Sequence, residues 1–296
     1  MSRAVYLCVP AYPLRDADEV ARTLAAAEGF AARLGLPLVA SPLLERTRPA
    51  GAWLGADERR DDLARGLAHP VLLAARGGYG CLELIASMAA GADRPGPLLI
   101  GFSDLTVLHA WWRRHGRGES VYGFMPGAPH GERALASAVD CALGRGAAHA
   151  GDAAQVVAGG EARGVLFAAC LRVLAGLVGT AAMPDLAGTV LALEDIDERP
   201  YRVDRDLMQL HLSGALAGVR ALVFARFPCA LPPDYAGPSM RSIAASWARR
   251  LGVPAIIDLP FGHDPDPLAL PCGRPATLRC APDGWRLDIA SRVGLA

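Results

Sequence analysis

Val71–Gly80 reads VLLAARGGYG and Leu98–Thr106 reads LLIGFSDLT. Each is an apolar run that breaks into a glycine-bearing turn and then into residues suited to a helix. A strand without polar alternation is one buried on both faces, the condition of a parallel sheet covered by helices. The same alternation extends outward from these two runs. Upstream, Val5–Pro10 is an apolar run closed by proline. Asp16–Leu34 carries Val20, Leu24, Ala27, Phe30 and Leu34 at helical spacing until Gly35 stops it. Leu38–Ala40 suits a strand and Asp57–Leu67 a charged helix. Glu83–Met88 and Leu105–Arg114 suit the helices that follow the two quoted runs. The first 125 residues therefore read as an α/β unit built on a parallel sheet.

Beyond Pro129 the texture changes. Ala134–Leu143 suits a helix, but Gly144–Gly160 is rich in Gly and Ala with turn signals, so a linker is expected. The expected organisation is a first domain over 1–135, a linker over 136–163 and a smaller mixed α/β domain over 164–296. In that second domain Val165–Val178 reads as a helix, Thr189–Glu194 as a strand and Tyr201–Leu212 as an amphipathic helix. A strand lies within Gly218–Phe227, a helix over Ser242–Leu251, and further strands over Ala255–Leu259 and Ala276–Cys280.

Composition removes several chemistries. All 30 Lys+Arg positions are Arg, and the chain contains neither Lys nor Asn. There is no amine for a Schiff base, a Ser-Lys dyad or a phosphate-loop lysine, and no Asn for a Cys-His-Asn triad or an oxyanion donor. Arginine stays charged and is no general base. Proton transfer falls to His, Asp, Glu, Cys or Tyr. Thirty cations against 30 anions leave no basic footprint for nucleic acid. The Ala4–Val9 run is shorter than the ~7–15 apolar residues of a secretory leader. No run reaches the ~18 apolar residues of a membrane span, so a cytoplasmic protein without a membrane partner is expected. The seven cysteines are scattered, form no C-x-x-C and read as buried free thiols rather than metal ligands.

In an open parallel sheet, ligands gather beyond the carboxyl ends of the strands. Three strand ends draw attention there. The glycines after Arg76 (Gly77, Gly78, Gly80) let backbone N–H groups approach a ligand closely, although a plain tight turn explains them equally. Ser103 stands at a sharp strand-to-helix turn, as a nucleophile does in G-x-S-x-G, though Leu105 replaces the last glycine. Ser103 or Asp104 also suits a helix N-cap. In the second half Glu194 ends an apolar strand, and His263 lies in the Pro260–Asp264 loop, where a surface role is the ordinary one. His109, His115 and His211 fall in helical stretches, and His69, His130 and His149 flank turns. Together Ser103, Glu194 and His263 supply nucleophile, orienter and base.

Four ordered stretches carry a resemblance: ARGGYG at Ala75–Gly80, GFSDLT at Gly101–Thr106, LEDIDERPYRVDRDLMQL at Leu193–Leu210, and FGH with LPCG within Phe261–Gly273. They resemble the LD-carboxypeptidase family of serine peptidases, the muramoyltetrapeptide carboxypeptidases. The resemblance implies a flavodoxin-like N-terminal domain, a mixed α/β C-terminal domain and a homodimer. It implies a relay of Ser103, Glu194 and His263, with neither metal nor cofactor. It implies release of a terminal D-amino acid, typically D-Ala, from murein peptides in cell-wall recycling. It also suggests an oxyanion hole from the backbone N–H groups of Gly78 and Asp104. Arg76, as a guanidinium able to grip a carboxylate, is the candidate for the substrate's terminus, with an ion pair near the turn as its other reading. Two segments depart from the family's usual pattern. Tyr122-Gly123-Phe124-Met125 stands where His-Gly-Pro-Met is common, and Ala168-Ala169-Cys170-Leu171 where Gly-Gly-Asn-Leu is common. The relay residues are intact, but the choice of substrate stays open. A microcin-type self-immunity peptidase cleaving another amide, or a peptide-binding module without catalysis, are the alternatives.

Overall fold

The computed structural model describes residues 3–47, 53–86, 88 and 95–292. In chain order the first half runs β1 (Val5–Cys8), α1 (Ala17–Arg33), β2 (Leu38–Ala40), α2 (Ala56–Gly66), β3 (Val71–Ala74), α3 (Cys81–Ile85), β4 (Leu98–Gly101), α4 (Thr106–Arg114), β5 (Ser120–Tyr122) and α5 (Glu132–Ala142). The second half runs β6 (Ala147–Asp152), β7 (Val156–Ala158), β8 (Gly160–Cys170), α6 (Leu171–Ala175), β9 (Thr189–Glu194), α7 (Pro200–Leu212), β10 (Ala221–Phe224), α8 (Met240–Leu251), β11 (Ala255–Ile256), β12 (Leu270–Cys272), β13 (Pro275–Ala281) and β14 (Gly284–Ile289).

These strands make two sheets. The first has the order β12-β5-β4-β3-β1-β2, parallel throughout except for the antiparallel edge strand β12. Its burial follows from alternation within wholly apolar strands. Tyr6 and Cys8 of β1 face one core, while Val5 and Leu7 face another with Phe30 of α1 and Val139 of α5. Helix α1 begins where the Asp16 carboxylate accepts the Glu19 N–H at 2.7 Å.

The second sheet has the order β6-β14-β13-β8-β9-β10-β11-β7. Its β8-β9-β10-β11 centre is parallel and its flanks are antiparallel. One continuous core joins the sheets: Leu105, Trp112 and Tyr122 pack in it with Phe167, Leu193 and Phe261. Each fully buried side chain of this size contributes about 1.5–3 kcal/mol. Arg274, 1% exposed, secures the join by donating to Glu119 at 3.0 Å and to the Arg145 carbonyl at 2.9 Å.

Two expectations are corrected here. Val165–Val178 is not one helix: β8 runs to Cys170, and only Leu171–Ala175 is helical. Of the segment 136–163 expected as a linker, the first part closes α5, and β6, β7 and the start of β8 follow as sheet strands. The two halves also join, because β12 pairs with β5 of the first sheet. The helix expected over Glu83–Met88 is α3, beginning at Cys81, and residue 87 lies outside the described residues. Among the described residues no helix is long and apolar enough to cross a membrane.

Candidate active site

Ser103 follows β4 and opens a 3-10 turn leading into α4. Its φ is +66°, a left-handed conformation that a non-glycine residue rarely holds. The strain is characteristic of a sharp strand-to-helix elbow, which lifts the side chain out of the sheet. Neither Ser103 nor Asp104 caps α4 with its side chain. Asp104 instead reaches the neighbouring loop, where its Oδ2 accepts the N–H of Cys81, the first residue of α3, at 2.9 Å. Burial pushes the Asp104 carboxyl above its ordinary value, opposed by that N–H.

The Gly77-Gly78 turn is thereby held against the elbow. A Cβ on Gly77 would lie 3.2 Å from Ser103 Cβ, so the two chains touch. Gly78 has φ +114°. Arg76, at the start of this turn, pairs with the buried Glu19 at 3.4 Å. The ion-pair reading of Arg76 is therefore present in the structure.

Glu194 ends β9 and is 1% exposed. Its Oε2 lies 2.7 Å from His263 Nδ1 and also accepts the His263 backbone N–H at 3.2 Å. A carboxylate in this pair accepts, so Nδ1 carries the proton and Nε2 is left as the basic nitrogen. The loop before His263 fits the carboxylate closely. Gly262 has φ +72°, and a Cβ there would fall 2.3 Å from Glu194 Cδ. Burial lowers the affinity of His263 for a proton, but the hydrogen bond and charge of Glu194, with Asp195 and Asp197, raise it above the ordinary value.

The His263 ring sits edge-on to Phe102, the residue before Ser103, with centroids 5.1 Å apart. The chain thus brings Ser103, Glu194 and His263 to one region at the carboxyl ends of β4 and β9. His130 packs on Phe102 as well, at 5.6 Å, but burial pushes it down to about 4. His263 is therefore the imidazole of this pair whose proton affinity stays above the ordinary value.

Two residues here hold roles that the sequence did not assign to them. Tyr122, wholly buried, donates its hydroxyl to Glu194 Oε1 at 2.6 Å and accepts the Ser103 backbone N–H at 3.1 Å. His109 donates from Nε2 to the Gly101 carbonyl at 2.9 Å, and its Nδ1 takes the Ser120 hydroxyl at 2.8 Å. Burial pushes His109 down to about 4, which fits a neutral ring bracing the elbow. One polar residue within the apolar Val107–Trp112 run was the available signal. Cys170 pairs with Glu194 in register across β8 and β9, and its N–H donates to Thr106 Oγ1 at 2.9 Å. Both departures from the usual family pattern therefore lie beside the same carboxylate. Among the described residues no group of three or more His, Cys, Asp or Glu is placed to hold a metal ion.

A doubly wound first sheet, a strained serine elbow and a histidine paired with a buried glutamate define a class, the α/β hydrolytic enzymes with an acid-oriented histidine. The family follows from comparison. The LD-carboxypeptidase N-terminal domain model matches residues 5–123 and its C-terminal domain model residues 163–278. This chain belongs to the LD-carboxypeptidase family. It is 34% identical over 260 residues to a putative carboxypeptidase of Streptomyces coelicolor, covering 82% of this chain and 80% of that protein. It is 32% identical over 243 residues to the murein tetrapeptide carboxypeptidase of Pseudomonas aeruginosa, covering 75% and 77%. The crystal structure of a muramoyltetrapeptide carboxypeptidase from Oxalobacter formigenes superposes with a TM-score of 0.83 at 26% identity, over 98% of this chain and 100% of that one. An MccF-like protein from Bacillus anthracis shares the fold, with a TM-score of 0.81 at 18% identity, over 98% and 97%.

Proposed function

We propose that this protein is a serine carboxypeptidase that hydrolyses an L,D-amide and releases a terminal D-amino acid, D-Ala, from murein tetrapeptides. The observation that carries this reading is the pairing of the buried Glu194 with His263 at 2.7 Å beside the strained Ser103 elbow. In the proposed reaction Ser103 Oγ attacks the scissile carbonyl while His263 Nε2 takes its proton. Glu194 holds the imidazole by Nδ1 and stabilises the imidazolium. The backbone N–H groups of Gly78 and Asp104 receive the oxyanion. Collapse breaks the C–N bond, and His263 returns the proton to the leaving amine. Water then adds to the acyl-enzyme with His263 again as base, freeing the shortened peptide as its carboxylate and restoring the Ser103 hydroxyl.

Arg76 is proposed to meet the terminal carboxylate, exchanging the long Glu19 contact for a bidentate one. On the same family reading the protein works as a cytoplasmic homodimer in peptidoglycan recycling, and analytical ultracentrifugation tests the dimer. The reaction is tested with a murein tetrapeptide ending in D-Ala, reading D-Ala release by mass spectrometry. Release by the native chain and none by Ser103→Ala is expected. Turnover by Ser103→Ala sinks the serine mechanism. Faster cleavage of an aminoacyl sulfamoyl nucleoside than of the tetrapeptide by the native chain sinks the substrate assignment.

A further inference from the structure

We infer that Tyr122 is a positioning residue of the relay, its hydroxyl tying the backbone of the nucleophile elbow to the carboxylate that orients His263. This inference rests on the Ser103-Glu194-His263 reading above. The direction of each bond is forced by chemistry. A backbone N–H can only donate, and the Glu194 carboxylate accepts, so the phenol must take from Ser103 and give to Glu194. Burial, and then the charge of Glu194, push ionisation of this phenol well above its ordinary value, so the proton it gives is always present.

The bridge crosses the molecule. Tyr122 ends β5 of the first sheet, Ser103 follows the adjacent strand β4, and Glu194 belongs to the second sheet. The two oxygens of Glu194 then have separate duties: Oε1 takes Tyr122 and Oε2 takes His263. With Oε1 fixed, the carboxylate cannot turn about its axis without breaking a buried bond, and Oε2 stays on Nδ1. The phenol ring is held by edge contacts with Phe102 and Phe261 at 6.3 and 6.4 Å, so its hydroxyl is not free to wander. On the elbow side, the accepted N–H belongs to the residue with the strained φ. One hydroxyl thus supports nucleophile geometry and base orientation together.

Tyr122→Phe removes only that oxygen. The expected result is kcat lower by about tenfold to a hundredfold, the loss typical of slight misplacement, with KM within about twofold. A second readout separates positioning from packing. The charged and titratable groups acting on His263 are Glu194, Asp195 and Asp197, with His130 across Phe102. If Glu194 swings off Nδ1, burial governs His263 and the acid limb of kcat/KM moves to lower pH. An unmoved limb, or one moved to higher pH, means that Glu194 stayed in place, and overturns the inference. Tyr122→His keeps a ring N–H donor at this position and is expected to exceed Tyr122→Phe in kcat, with a limb closer to that of the native chain. The reverse order overturns the inference.

Calorimetry establishes that each variant is folded at the assay temperature. Should Tyr122→Phe not fold, Tyr122→Met, which also lacks the hydroxyl, takes the same reading: a lowered acid limb supports the bridge, and an unmoved one overturns it. Ser103→Ala in the same assay keeps the two readings apart. Turnover by Ser103→Ala removes the serine relay itself. Its inactivity beside an unaltered Tyr122→Phe removes only the role of Tyr122.

Discussion

His263 Nδ1 and Glu194 Oε2 lie 2.7 Å apart, with the carboxylate sealed from solvent and the imidazole partly open. Burial alone would favour the neutral imidazole, yet Glu194 raises its proton affinity above the ordinary 6.5. The acid limb of kcat/KM in the native chain is therefore expected above 6.5, because the base must be unprotonated to act. Glu194→Gln removes the raising charge and leaves the burial, so the limb moves to lower pH. Loss of orientation lowers kcat by about a hundredfold to ten-thousandfold. The same linkage has a stability sign. A histidine raised on folding stabilises the fold fully below its unfolded value and loses that contribution as pH rises through the folded one. Urea unfolding of native and Glu194→Gln chains at pH 5.5 and 8.5 is expected to show the native chain losing more on that rise.

Much of this site was readable because its parts stand at strand ends. The apolar runs before Ser103 and Glu194 have no polar alternation, which marks buried parallel strands, and the residue that ends such a strand reaches the ligand-binding edge. What failed to be readable depended on distant partners. Arg76 meets Glu19, and Tyr122 meets Glu194, across sequence separations of 57 and 72. Local pattern is silent about such contacts. Strand β8 was misread for a different reason. Its outer half is partly exposed and contains Gly164, its inner half is fully apolar, and α6 follows without a turn. The resulting run from Val165 to Val178, apolar except for Arg172 and Gly176, has the length of a helix, and periodicity does not separate the two. The edge strand β12 and its neighbour β5 are three residues each, too short to signal themselves.

Asp195, next to Glu194, carries a stability cost with the opposite chemical origin. Burial pushes its carboxyl up to about 6 against an ordinary 3.8, although the Arg172 and Ile196 N–H groups oppose the shift. A carboxyl raised on folding holds protons that the unfolded chain has lost, so fold stability falls as pH climbs from 3.8 through about 6. The gap is on the order of 3 kcal/mol. Asp195→Asn cannot titrate. Its unfolding free energy is expected to fall about 1–3 kcal/mol less than that of the native chain between pH 4.5 and 7.5, as measured by urea titration.

The thiols offer a test that needs no substrate. Cys8, Cys81, Cys141, Cys170, Cys272 and Cys280 are buried, whereas Cys229 is partly open, contrary to a reading of all seven as buried. Burial raises the thiol of Cys141 to about 12 and those of Cys272 and Cys280 to about 11. Reaction needs a thiolate in reach of solvent. Ellman's reagent at pH 8 is expected to modify Cys229 in the folded protein within minutes and the others only after denaturation. Cys229→Ser is expected to abolish the fast phase and leave the slow one.

Gly262 and Gly179 separate backbone strain from damage to the site. Both hold positive φ, +72° and +84°, so a side chain at either is strained. At Gly179 a Cβ meets nothing within 4 Å, and Gly179→Ala is expected to lower stability by about 1 kcal/mol while kcat stays within about twofold. At Gly262 the Cβ falls 2.3 Å from Glu194 Cδ, at the carboxylate end of that side chain. The carboxylate must move, and it is held by Tyr122 on one oxygen and His263 on the other. Gly262→Ala is therefore expected to lose activity by more than about a hundredfold, as a displaced relay does, beyond whatever its melting temperature loses. Equal kcat values for the two variants would show that the Gly262–Glu194 contact does not set the geometry of the relay.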